Sequence, residues 1–329
     1  MSTSGGTKAV VAALLANTGI AVTKFGAWAL TQSASMLAEA IHSVADAGNQ
    51  ALLLVGGRRA KREATEEHPF GYGRERYIYA FIVAIVLFSV GGLFALYEAY
   101  HKFHELAEGH GGGDSLLTSR WKYVPLFVLG AAIIMESLSF RTAIIESNKV
   151  RGDQSWWRFI RRAKAPELPV ILLEDLAALL GLVVAFSGVS LALITHNLYF
   201  DVVGSAVIGA LLVTVAVILG VEVKSQLLGE AAAPESVVAI REAIGSTTGV
   251  ESIIHLKTMH VAPEELLVAA KIAVAPHATA ADVAATIDAA ERALRAAEPM
   301  AVQVFLEPDI HRDDYVPDAR PEAPEIPGH

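Results

Sequence analysis

The sequence predicts a polytopic α-helical membrane protein with six transmembrane helices, followed by a C-terminal cytoplasmic α+β domain of ferredoxin-like type. Three observations predict this class. The 329 residues are 53% hydrophobic with a mean hydropathy of +0.44, too apolar for an ordinary soluble domain. Six apolar stretches, near 8–30, 34–57, 77–100, 122–146, 168–194 and 201–227, reach the roughly 20 residues a helix needs to cross a bilayer. After Glu230 the long apolar runs give way to short amphipathic segments. The composition also narrows the chemistry. With no cysteine there is no disulfide, thiolate metal site or catalytic thiol, so any metal must be held by His, Asp, Glu or Asn. A net charge of −9 argues against nucleic acid as a partner.

The N-terminal MSTSGGTK has no basic region and no small-residue cleavage site, so the first apolar run is read as a retained span. A tight connection around Thr31–Ser33 joins it to the second. Orientation follows from the loops. Arg58, Arg59, Lys61, Arg62, Arg74 and Arg76 crowd the loop after the second span, and a similar basic group occupies 147–167, whereas 31–33 and 195–200 hold no Lys or Arg. By the positive-inside rule both termini are cytoplasmic. Trp156 and Trp157 beside Arg158, Arg161 and Arg162 read as an interfacial segment. Beyond the spans, 234–247 and 279–297 read as amphipathic helices, and 252–261, 265–275 and 301–308 as strands, with a turn at Pro263–Glu264. That αββαβ order fits a two-layer ferredoxin-like domain. The domains are thus 1–230 in the membrane, 231–309 soluble, and 310–329 a disordered tail rich in Pro, Asp and Glu.

The most informative feature is a polar stripe in the second span, SMLAEAIHSVADAGNQ. At 3.6 residues per turn Glu39, His42, Asp46 and Asn49 fall on one arc of the helix, and a His and an Asp one turn apart can share a divalent cation. The fifth span adds Glu174 and Asp175, the fourth Glu136, and the first Asn17 and Lys24 on one face. Ionisable residues inside a membrane are costly, and Lys24 is the only obvious cationic partner for these acids, so a divalent cation is the economical one. Imidazole and carboxylates suit Zn²⁺ but also Mn²⁺, Fe²⁺ or Co²⁺. Metal needs those groups deprotonated, so metal and protons compete for the same atoms, which is the basis of antiport. His68 in HPFGYGRERY, and His255 and His260 in the soluble part, are further candidate ligands.

The chain resembles the cation diffusion facilitator family up to about Asp309. The matching segments are SASMLAEAIHSVADAGNQ, HPFGYGRERY, EDLAALLG, FDVVGSAVIGALL, IIHLKTMHVAPEELLVAAKIAV and VFLEPD, closest to the branch that includes the ninth human zinc transporter. The resemblance implies a homodimer held by the soluble domain and export of a divalent metal, Zn²⁺ first, in exchange for protons, with no prosthetic group and no enzymatic activity. It implies that spans one, two, four and five surround the ion. His42 and Asp46 match the family's ligands in the second span, and Asp175 matches in the fifth, with Gly181 fixing the register. The family's fifth-span histidine is replaced by Ile171, which leaves the fourth ligand to Glu174, Glu136 or Asn49. Glu174 lies about 100° around the helix from Asp175, so both face one ion only if the helix bends or rotates. Phe305 or Leu306 occupies the region where the family often has a soluble-domain histidine. An intramembrane metalloenzyme and a membrane metal sensor are the competing classes; no HExxH or GxSxG supports the first, and no output motif the second. The expected location is a prokaryotic inner (cytoplasmic) membrane.

Overall fold

The computed structural model describes residues 4–31, 34–108 and 122–312; the side chains of 4–6, 30, 31, 34–39, 41, 42 and 162 lie outside the description, as does most of the expected tail. The chain divides after Leu228 into two compact units.

The first unit is helical. α1 (Ser4–Thr31) and α2 (Ala34–Arg59) form an antiparallel hairpin. The third span runs unbroken over Glu75–Ala107, as α3 (Glu75–Val86), a π-helical segment Leu87–Leu93, and α4 (Phe94–Ala107). α5 (Val124–Arg151), the short α6 (Trp156–Arg162), α7 (Glu167–Thr195) and α8 (Tyr199–Leu228) follow. Five of these helical runs are long and apolar enough to cross a membrane. α2 is 26 residues long but carries the polar stripe, which dilutes its hydropathy; with it the long helices number six. α6 covers the segment read as interfacial and is a short helix: Ser155 caps it by accepting from the amide of Arg158, Phe159 and Ile160 are buried, and Arg151 stacks 4.5 Å from the Trp156 ring.

α1 packs on α2 and α5, α5 on α7, and α7 on α8, while the third span packs along α8 and on α2. The contact of the third span with α8 is made by small residues. A Cβ on Gly92 would lie 2.6 Å from Val213 Cγ2, and one on Gly209 would lie 2.8 Å from Leu96 Cγ, so only glycine lets the two helices approach this closely. α7 turns into α8 through His196, which takes the left-handed conformation (φ 55°), and Asn197 Oδ1 accepts from the Tyr199 amide at 3.0 Å. At the opposite end of α7, Arg76 from HPFGYGRERY grips Glu167: Nη2 donates to Oε2 at 2.8 Å and Nε to Oε1, both side chains largely buried. The same loop is braced internally, with Arg62 over the Tyr72 ring at 4.5 Å and His68 against it at 4.7 Å.

The second unit holds α9 (Pro234–Gly245), β1 (Ser252–Ala262), β2 (Glu265–Ala273), α10 (Ala280–Ala297) and β3 (Ala301–Asp309), the αββαβ order expected. The strands lie in the order β1-β2-β3, with β1 antiparallel and β3 parallel to β2. The parallel pair requires a crossover, and α10 supplies it, its start fixed by a capping box between Thr279 and Asp282. Alternate residues of β2, Leu266, Val268, Ala270 and Ile272, form the core with Ile240, Ile244 and Leu294 of the two helices.

Candidate functional site

The described side chains along this part of α2 face neighbouring helices to differing degrees. Ser43, Asn49 and Gln50 are buried and Asp46 is half-buried. His42 stands one turn before Asp46 on the same helix; its side chain, and that of Glu39, are outside the described residues.

α7 brings up the buried pair Glu174 and Asp175, and successive positions on a helix point different ways. Glu174 faces α2, where Asn49 Nδ2 donates to Oε1 at 3.0 Å and Gln50 Nε2 donates to Oε2 at 2.8 Å. Asp175 faces α5, and Ser139 Oγ donates to its Oδ2 at 2.7 Å. α7 is helical throughout from Glu167 to Thr195, and the two acids keep separate neighbours. One turn earlier, Ile171 is fully buried in the apolar core.

These groups border a cavity of about 100 Å³ lined by Asn17 and Lys24 of α1, Ser43 and Asp46 of α2, Glu98 of α4, Glu136 of α5 and Glu174 of α7. Asp175 is not part of that lining, but it lies within charge-interaction range of Glu136. Asp46 and Glu174 act on Glu136 in the same way, so the acids form one electrostatic cluster. Among the described residues no three His, Asp or Glu side chains converge on a single ion position; His42 is not in that set. The remaining wall is apolar and comes from Ile20 of α1, Ala177, Ala178, Gly181, Leu182 and Ala185 of α7, Leu87, Val90, Gly91, Phe94 and Ala95 of the third span, and Ile208 and Leu212 of α8. Spans one, two, four and five are the ones expected to surround the ion; the third and sixth also contribute to the wall of this chamber. The lining runs along α7 from Glu174 to Ala185, about 16 Å at the helical rise, and extends away from the Arg76–Glu167 end.

The other expected ligands are elsewhere. His68 is exposed on its loop. In the soluble unit His260 is buried and His255 partly so; five residues apart on a strand, they point to opposite faces and cannot share an ion. Gln50, Ser139 and Glu98 were not expected. Gln50 continues the His42, Asp46 row by one more turn, and Ser139 follows Glu136 by three residues, so helical spacing could have found both.

Comparison with known proteins follows this division. Residues 10–228 match the cation efflux transmembrane domain, and residues 232–309 match the cytoplasmic domain of cation efflux proteins. The chain is 33% identical over 253 residues to the proton-coupled zinc antiporter SLC30A9, mitochondrial, of Mus musculus, covering 76% of this chain and 43% of that protein. It is 28% identical over 261 residues to metal tolerance protein C4 of Arabidopsis thaliana, covering 78% of this chain and 54% of that one. A 70-residue stretch, 21% of this chain and 24% of the relative, is 36% identical to the magnetosome protein MamB of Magnetospira sp.. The chain thus spans about half the length of the relatives it matches along most of its sequence.

Proposed function

We propose, from the premise that this chain belongs to the cation efflux family, that it is a divalent-metal/proton antiporter whose cargo is Zn²⁺. The observation that carries the reading is the chamber lined by Asp46, Glu98, Glu136 and Glu174, of which Glu136 and Glu174 are buried. Acids gathered out of water need cations, and a divalent ion neutralises two at once. His42 and Asp46 of α2, with Glu174 and Asp175 of α7, form the transport site in this proposal, and Glu136, Asn49, Glu39 and Asn17 assist it. A ligand set of imidazole and carboxylate oxygen binds zinc, and it binds protons when the metal leaves. The name of the mouse relative, a proton-coupled zinc antiporter, supports the choice of zinc over Mn²⁺, Fe²⁺ or Co²⁺.

In this reading Glu174 exchanges its amide partners for the ion as the four-helix group of α1, α2, α5 and α7 rocks against the third span and α8. The chamber reaches from the acids toward Glu98, the side we assign to the exterior from the basic loops at the other ends. Both termini then lie in the cytoplasm, the first 230 residues form the transport domain, and residues 231–309 join two copies as a homodimer. We keep the cytoplasmic membrane of a prokaryote as the location on composition alone; the animal relatives are named mitochondrial.

The test is flux. Inverted vesicles holding the wild type accumulate Zn²⁺ when a pH gradient is applied, and Asp46→Ala or Asp175→Ala abolishes the uptake. Wild-type flux in either variant refutes the assignment.

A further inference from the structure

The chamber contains a positive charge as well as the acids. Among its described lining residues Lys24 is the only basic one, set against Asp46, Glu98, Glu136 and Glu174. The long stem of a lysine this close to a helix end could carry its ammonium out to the interface, since Lys24 is seven residues, about 10 Å, before the end of α1 at Thr31. Instead the side chain is 4% exposed and borders the acid chamber.

The neighbouring acids have other partners. Glu174 accepts from Asn49 and Gln50, and Asp175 from Ser139. Glu98 is paired with Lys102 at 3.0 Å, one turn further along α4, and Lys102 also reaches Asp201 at 3.9 Å. Glu136, 1% exposed, lines the chamber together with Lys24. α1 holds no Asp or Glu, so the acids that share the chamber with Lys24 all come from other helices.

We infer that Lys24 is the internal counter-cation of the transport site: its ammonium balances part of the acid cluster when metal is absent and opposes the divalent ion when it arrives. This inference rests on the transport reading above. Its consequence is that the lysine weakens metal binding and hastens release, since a cation leaves more readily from a site that already holds a compensating charge. A lysine present only to support packing has the opposite signature, because removing it damages the site and weakens binding.

The experiment is Zn²⁺ titration and Zn²⁺ flux of the purified full chain. The membrane site is defined as the Zn²⁺ binding that Asp46→Ala removes, which separates it from any binding in the soluble unit. Lys24→Gln and Lys24→Met each lower the Kd of that site by about tenfold or more. Maximal flux falls at the same time because release slows, while Lys24→Arg keeps both values close to wild type. Unchanged or weaker binding in the neutral variants overturns the inference. So does folding of Lys24→Arg when neither neutral variant folds, since the charge is then structural. A wild type with no Zn²⁺ site sensitive to Asp46→Ala overturns the transport reading itself, and the role of Lys24 with it.

Discussion

At the scale of single residues, the site depends on how Glu174 is held. Both of its oxygens accept from neutral amides, at 3.0 Å from Asn49 and 2.8 Å from Gln50, and the amide oxygens Asn49 Oδ1 and Gln50 Oε1 are buried with no hydrogen-bond partner among the described residues. Supporting hydrogen bonds of this kind fix the direction of a ligand's lone pairs. Asn49→Ala and Gln50→Ala should each weaken Zn²⁺ binding about 10- to 100-fold, and the double variant should lose less than the product because both amides hold one carboxylate. Titration checks this; wild-type affinity in both single variants would show that the amides are not part of the site. The residue scale is also where the sequence was least legible. The spacing of Asp46 and Asn49 located the polar arc of α2, and the adjacency of Glu174 and Asp175 predicted that they point apart. Which neighbour each acid meets depends on the rotation of α7 against α2 and α5, a property of packing that no local pattern in EDLAALLG encodes.

At the scale of elements, the spans were readable because long apolar runs have few alternatives in a bilayer, where every backbone group must be bonded internally. The π-helical segment Leu87–Leu93 was not readable: its LFSVGGL is simply apolar, and its effect appears only through the close contact of Gly92 with Val213. The motif HPFGYGRERY, expected to be an ordered basic loop, gains a definite role from Arg76. Its guanidinium takes both oxygens of Glu167, and Glu167 is 7% exposed at the first turn of α7. Removing one member strands the other. Arg76→Ala should therefore cost about 3–5 kcal/mol of stability, whereas replacing both members together by apolar residues should cost far less. Thermal unfolding of the detergent-solubilised protein distinguishes the two; an Arg76→Ala midpoint equal to wild type would mean the pair is incidental.

At the scale of the molecule, the helical unit and the αββαβ unit each follow from patterning, apolar runs in one and alternation with amphipathic helices in the other. What the whole adds is the chamber, built from helices far apart in sequence: Asn17 and Glu174 line it together only because α1, α5 and α7 pack side by side. The proposed antiport is a property of that chamber. Metal and protons must use the same acids, so movement of one in one direction must be tied to movement of the other in the opposite direction. The most direct measurement is simultaneous recording of Zn²⁺ and pH in sealed liposomes reconstituted with the full chain. The account predicts that zinc crossing in one direction drives protons in the other, and that Glu174→Ala stops both together. Zinc crossing with no proton movement, or coupled movement undiminished in Glu174→Ala, would contradict it.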